Sequence, residues 1–193
     1  MLIKCYGAAP QGIDAVIVTI EVHAVPGFEF TLVGLPDSAV KESHERIVAA
    51  LTVNGYNKPR HTLTINMAPA DIKKEGAAYD LPITVAILEA SEQVPANSTD
   101  GCAFLGELSL DGELRGIHCV LPMVIAARDN GIKTVFLPAE NANEAAVVTF
   151  DGSHSVNLIV GDYVEITQAK ETTTLVKISK KSFVETVRKK MQA

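Results

Sequence analysis

The chain has 193 residues, of which 47% are hydrophobic and 21% are charged, with a formal net charge of −6. This composition excludes a largely disordered chain, because enough apolar surface is available to offset the entropy lost on folding. No run of eighteen apolar residues and no signal-peptide pattern occurs, so we expect a cytoplasmic protein with no membrane partner. Three cysteines without a close pair favour reduced thiols over disulfides or zinc.

The first quarter of the chain predicts two strands and a helix. Residues 13–24 alternate between a nearly complete apolar face and a mixed one, and residues 28–35 follow a Pro-Gly turn as a second strand. We therefore expect these two strands to form an antiparallel hairpin. A helical period then begins, with Asp37 or Ser38 as its cap and Gly55 at its end.

The middle of the chain returns to alternation at residues 61–69, which predict a third inner strand. Asp80 offers a cap for a helix that runs to about Ser91 and is apolar enough to be buried on most sides. Residues 103–117 predict two short strands around an Asp-Gly turn. The remaining elements are expected to be a helix at 120–130, a strand at 134–138 and a short helix at 140–146.

Charge divides the chain into two parts. Up to residue 168 there are 10 basic and 21 acidic residues, whereas from residue 170 onward there are 7 basic and 2 acidic ones. An acidic body is a poor general binder of phosphate, so any contact with nucleic acid must be local. We expect one mixed α/β domain at residues 1–166 and a basic tail at 167–193, which is predicted to be helical.

Sequence motifs for several enzyme classes are missing. The chain has no P-loop string, no dinucleotide-binding glycine pattern, no zinc-protease helix motif and no hydrolase nucleophile elbow. The segment at 131–134, Gly-Ile-Lys-Thr, resembles part of a P-loop, but it follows a helix and leads into a strand, which is the reverse of the order that phosphate binding needs. One segment, 66–82, carries more unusual residues than a simple connection requires. It leaves a strand, passes a charged loop and enters a buried helix. The alternative is a plain connecting loop in which Lys73 and Lys74 are only surface charges.

Three strings carry a family resemblance: VGLPDSAVKESHERIVAAL at 33–51, NMAPADIKKEGAAYDLPI at 66–83 and GELSLDGELRGI at 106–117. They resemble the N-terminal region of the Mg-chelatase-related AAA+ ATPases of the ComM and YifB type, which are similar to the ChlI subunit. That region is similar in turn to the proteolytic domain of Lon and to the C-terminal domain of RadA. The resemblance implies a two-layer α/β fold of the Lon proteolytic-domain kind, with a mixed sheet packed by helices.

The comparison with Lon also bears on catalysis. Lon presents its serine in a Lys-Asp-Gly-Pro-Ser-Ala-Gly string, which aligns without gaps with residues 74–80 and places Ala78 at the serine. Counting back through the following helix places Leu121 at the catalytic lysine. An alanine and a leucine can supply neither a nucleophile nor a general base. The resemblance therefore implies a protease-like domain without its reactive pair.

The functional expectation is a non-catalytic accessory domain of a ring-forming ATPase that, by resemblance, drives DNA branch migration during recombination. The AAA+ module is missing from this chain, so no cofactor is expected here, and ATP and Mg²⁺ are expected only for a full-length family member. Expected partners are a second copy, the AAA+ module, or DNA. The candidate contact residues are basic: Lys41, Arg46, Lys58, Arg60, Lys73 and Lys74. Two alternatives remain, a small hydrolase that uses Ser109 or Cys119, and a subunit of the Mg-chelatase type.

Overall fold

The computed structural model describes residues 1–58, 60–142, 146–150 and 154–158. The chain divides into two compact units, Met1–Glu144 and Ala145–Ala193. In the second unit, β9 (Ala146–Phe150) and β10 (His154–Leu158) form an antiparallel pair. The predicted boundary at residue 166 and the predicted helical tail lie outside the described residues.

The first unit alternates strands and helices around one sheet. Its elements are β1 (Leu2–Gln11), β2 (Asp14–Pro26), β3 (Phe30–Val33), α1 (Ser38–Lys41), α2 (Ser43–Val53), β4 (His61–Ala68), α3 (Asp80–Ala90), β5 (Cys102–Phe104), β6 (Glu107–Leu108), β7 (Leu114–Arg115), α4 (Val120–Asp129), β8 (Thr134–Phe136) and α5 (Ala139–Ala142). The predicted short helix at 140–146 therefore begins one residue earlier, and Ala146 already belongs to β9.

The main sheet has six strands in the order β3-β4-β2-β1-β5-β8. β2 is antiparallel to both β1 and β4, whereas the pairs β3–β4, β1–β5 and β5–β8 are parallel. β6 and β7 form a separate antiparallel pair around the predicted Asp-Gly turn. This mixed sheet packed by helices confirms the predicted α/β class.

Helices pack on both faces of the sheet. Val18, Ile20 and Val22 of β2 are fully buried and belong to the core cluster that contains the apolar residues of α3. Ile17, on the other face of β2, packs with Met123 of α4 in a second cluster. Because alternate residues of a strand point to opposite faces, α4 packs on the face of β2 opposite to α3.

The predicted hairpin of residues 13–35 is wrong, because β4 lies between its two strands. Pro26 at the end of β2 is opposite His61, and Phe30 at the start of β3 is opposite Leu63, so the connecting residues step across the beginning of β4. A Cβ built on Gly27 would lie 2.1 Å from Oγ1 of Thr62. Glycine is required there because the connection passes so close to the strand it crosses.

Candidate functional site

The three sequence strings meet at one place in the first unit. The segment before α1 and the loop after β4 are joined by backbone hydrogen bonds: the amide of Asp37 donates to the carbonyl of Lys74 at 3.0 Å, and the amide of Lys74 donates to the carbonyl of Leu35 at 3.1 Å. The third string joins them where the amide of Gly106 donates to the carbonyl of Ala78 at 3.1 Å. We call this region the junction; it comprises residues 34–46, 69–81 and 106–108.

Asp37 holds two parts of the junction with one carboxylate. Its Oδ1 accepts from the amide of Val40 at 2.8 Å, which is the helix cap that the sequence predicted, and its Oδ2 accepts from the amide of Gly76 at 3.2 Å. The carboxylate therefore fixes the start of α1 and the charged loop together.

Asp80 is not the helix cap that the sequence predicted. It is the first residue of α3, no side-chain cap is present there, and its buried carboxylate binds Arg46 of α2 instead. Nε of Arg46 donates to Oδ2 of Asp80 at 2.6 Å and Nη2 donates to Oδ1 at 2.9 Å, while the amide of Leu108 donates to Oδ2 at 3.2 Å. One carboxylate thus connects α2, α3 and β6.

Burial dominates the electrostatics of this pair. Removal from water raises the pKa of the Asp80 carboxyl, while the guanidinium of Arg46 and the amide of Leu108 act in the opposite direction. The hydrogen bond to Asp80 raises the pKa of Arg46. The ionised form of Asp80 therefore depends on Arg46. The sequence did contain a signal for such a partner. Asp80 stands at the start of a helix that is apolar on most sides, and burying its charge there without a partner would be unfavourable in free energy.

Lys74 and Arg46 do not have the surface positions that the sequence predicted. Lys74 has 0% of its surface exposed, its Nζ donates to the carbonyl of Pro69, and burial lowers its pKa against the opposing charge of Asp71. Arg46 is committed to Asp80 and also donates to the carbonyl of Ala39 at 3.0 Å. Both cations have hydrogen-bond partners inside the junction, so neither is free at the surface.

The four remaining candidate cations are exposed and lie at opposite ends of α2. Lys41 precedes α2 and Lys73 lies in the loop that Asp37 joins to α1; Lys73 also pairs with Glu75 at 2.6 Å. Lys58 and Arg60 follow the other end of α2. Since that helix is roughly 16 Å long, the six predicted contact residues do not form one cluster.

The two residues that the sequence comparison aligned with the Lon dyad, Ala78 and Leu121, have hydrocarbon side chains. Ala78 packs against the second core cluster, and Leu121, in the first turn of α4, has 67% of its surface exposed. Of the alternative nucleophiles, Ser109 is buried and its hydroxyl bonds the carboxylate of Asp111 within the β6–β7 turn. Cys119 is exposed next to the start of α4.

Among the described residues, no group of three or more His, Cys, Asp or Glu side chains is arranged to hold a metal ion. Within the same residues, no helix is long and apolar enough to cross a bilayer.

Tyr79 provides a test of the packing of the junction. Its side chain is buried, and its hydroxyl has no hydrogen-bond partner among the described residues. Burial is the main reason that the pKa of Tyr79 is raised, and the charges of Asp37 and Glu75 raise it further. Because an unpaired buried hydroxyl is unfavourable, Tyr79→Phe should leave the free energy of unfolding unchanged or raise it by up to about 1 kcal/mol, measured by urea unfolding. A loss of more than about 1 kcal/mol would mean that the hydroxyl has a partner in solution.

Comparison with known proteins identifies the class. The family model described as subunit ChlI of Mg-chelatase matches residues 20–141, more than half of the chain, and the three strings lie entirely within that range. The chain belongs to the family of the ChlI subunit of Mg-chelatase.

Particular relatives refine the placement. The chain is 40% identical to "Competence protein ComM" of Haemophilus influenzae over 167 residues, which are 86% of this chain and 32% of that protein. It is 41% identical to "Uncharacterized protein YifB" of Escherichia coli over 145 residues, 75% of this chain and 28% of that protein. The "Lon protease" of Mycoplasma mobile is 29% identical over 157 residues, 77% of this chain and 19% of that protein. The chain thus spans about a third of the length of its ComM and YifB relatives, and the predicted resemblance to both groups is confirmed.

Proposed function

We propose that this chain is a non-catalytic accessory domain of a cytoplasmic ComM-type AAA+ ATPase, in which it serves assembly and DNA contact during branch migration in recombination. The observation that carries the proposal is the pair Ala78 and Leu121, because a Lon-like scaffold with these side chains lacks the nucleophile and the base of the protease. The junction supports it further, since the buried carboxylate of Asp80 is bonded by Arg46 within the fold.

The proposed partners are a second copy of the chain, the AAA+ module and DNA, and the proposed cofactors, ATP and Mg²⁺, belong to that module. Lys41 and Lys73 present exposed positive charge on the two segments that Asp37 joins. Cations of this kind attract phosphate locally, even on an acidic body.

A binding experiment tests the DNA contact. The chain is titrated against a fluorescent four-way DNA junction at low salt, and Lys41→Gln/Lys73→Gln is compared with Lys4→Gln/Lys133→Gln, which removes two exposed charges elsewhere. We expect the first variant to bind on the order of tenfold more weakly and the control to bind nearly as the parent does. Equal affinity of all three proteins would remove Lys41 and Lys73 from the DNA contact, and sizing of the same variants reports whether they serve self-association instead.

The absence of peptidase chemistry has its own measurement. The chain is incubated with a fluorophosphonate and, separately, with a thiol-reactive probe, beside an active Lon protease. We expect no fluorophosphonate label, because Ala78 has no hydroxyl and Ser109 is held in its turn. Selective labelling of one serine, or of Cys119 far above an ordinary exposed thiol, would support the hydrolase alternative.

A further inference from the structure

Two adjoining clefts lie beside α2: the smaller follows the helix from His44 to Leu51, and the larger lies past the end of the helix that is remote from the junction. The larger has a volume of about 400 Å³ and is lined by Asn57, Lys58, Arg60, His61, Ser91 and Gln93. The smaller, about 30 Å³, shares Lys58 and His61 with it and is otherwise lined mainly by apolar and aromatic side chains. A polar compartment and an aromatic surface therefore lie side by side.

The floor of the larger cleft is fixed by reciprocal hydrogen bonds. The amide of Asn57 donates to Oε1 of Gln93 at 2.6 Å, and Nε2 of Gln93 donates back to the carbonyl of Asn57 at 3.0 Å and to Oγ of Ser91 at 2.9 Å. The loop after α2 is thereby tied to the end of α3. This bonding sets the position of the loop before any ligand binds.

The charge in this cleft is of one sign. Lys58 and Arg60 are both exposed, no ion pair within the described part of the chain engages them, and no carboxylate lines the larger cleft. Glu29 lines only the smaller cleft. On a chain of net charge −6, two unpaired cations over a polar concave surface favour a ligand with a phosphate group.

The aromatic surface beside these cations is unusually open. Phe28 has 87% of its surface exposed, and both it and Phe30 line the smaller cleft. The ring of Phe30 packs on His44 with centroids 4.4 Å apart. A cleft of 30 Å³ is too small to enclose a nucleobase, so a planar ligand would lie over the exposed ring of Phe28 and stack on it.

We infer that this site binds a nucleotide unit, with its phosphate on Lys58 and Arg60 and its base stacked on Phe28. Proteins bind single-stranded nucleic acid with exposed aromatic rings, on which the bases stack, and with cations along the phosphate backbone. A free nucleotide also offers a base and a phosphate. Where the nucleotide belongs to DNA, the inference rests on the proposed function and gives it a second contact, distinct from Lys41 and Lys73.

The chain contains no tryptophan, which permits a direct probe of stacking. Phe28→Trp introduces the sole indole at an exposed position, and its fluorescence is followed during titration with inorganic phosphate, with thymidine monophosphate and with a twelve-residue oligothymidine. We expect quenching by the two ligands that carry a base and none by inorganic phosphate. Tighter binding of the oligonucleotide would identify single-stranded DNA as the ligand, and equal binding of both would identify the free nucleotide.

The cations are tested in the same background. Adding Lys58→Gln and Arg60→Gln should lower the affinity measured by quenching by about tenfold or more. It should also reduce the slope of log affinity against log salt concentration for the oligonucleotide by roughly 0.7 for each phosphate that is no longer neutralised. Adding Lys4→Gln and Lys133→Gln should change the affinity little. No quenching by either base-carrying ligand, or an equal effect of both pairs of substitutions, would overturn the inference. If no ligand quenches the indole while the four-way DNA still binds through Lys41 and Lys73, the inference about the cleft is wrong and the proposed function stands. If thymidine monophosphate quenches while the DNA junction does not bind, the cleft stands and the proposed DNA contact fails.

Discussion

Arg46→Met is expected to lower the free energy of unfolding by about 3–5 kcal/mol, because it removes the partner of a buried carboxylate. Asp80 is fully buried, and without the guanidinium the amide of Leu108 would be the one remaining donor to its carboxylate among the described residues. Methionine keeps most of the volume of the arginine stem, so reduced packing contributes little. Urea unfolding followed by circular dichroism measures the effect.

The loss of stability should depend on pH in a defined direction. In the parent, burial already raises the pKa of Asp80, and removing Arg46 raises it further because a positive charge has been removed. A folded-state pKa above the unfolded value, about 3.9, means that the folded state binds more protons, so the stability of the variant rises as the pH falls toward that value. We therefore expect the difference between variant and parent to shrink in acid.

An exposed ion pair provides the matched control. Lys73→Met breaks the pair of Lys73 with Glu75, in which both side chains are more than 60% exposed, and should leave the free energy of unfolding nearly unchanged, because exposed ion pairs contribute little. If Arg46→Met costs no more than this control, the Arg46–Asp80 pair does not hold the junction together.

Sequence patterns predicted which face of each strand is buried better than they predicted which strands are neighbours in the sheet. The alternation in β2 correctly placed Val18, Ile20 and Val22 in the core, because the side-chain period of a strand is a local property. The partner of β3 is not local: the residues that bond to it lie 33 positions further along the chain, from Phe30 to Leu63, and their alternation is compatible with several sheet orders. The short Pro-Gly turn is compatible with a hairpin and equally compatible with a connection that crosses one strand.

The candidate site was predictable in composition but not in burial. Lysine and arginine are usually solvated, so Lys74 and Arg46 were expected at the surface. Their burial follows from contacts between segments that are far apart in sequence, such as the bridge between Pro36 and Lys74. In contrast, the expectation for Ala78 and Leu121 rests on the chemistry of their side chains alone, and it stays a prediction.

Lys74→Glu is expected to lower the free energy of unfolding by at least about 4 kcal/mol, an effect as large as that of Arg46→Met. The ammonium is fully buried and donates to the carbonyl of Pro69, an acceptor that a carboxylate cannot satisfy. The nearby charge of Asp71, which favours the lysine, would then repel the new carboxylate. A decrease in DNA binding on charge reversal at Lys74 would therefore report unfolding rather than a direct role of this side chain at the DNA.

Lys74→Met separates burial of the charge from packing. Because burial lowers the pKa of Lys74, the unfolded state binds more protons between the folded-state pKa and the unfolded value near 10.4, and the stability of the parent rises with pH in that window. Methionine removes both the hydrogen bond to Pro69 and the cost of burying the charge, so we expect a change within about 1 kcal/mol at neutral pH and loss of the alkaline rise. A destabilisation by Lys74→Met as large as that by Lys74→Glu would contradict this account, since it would mean that the positive charge itself stabilises the junction, by attracting carboxylates more strongly than burial opposes it.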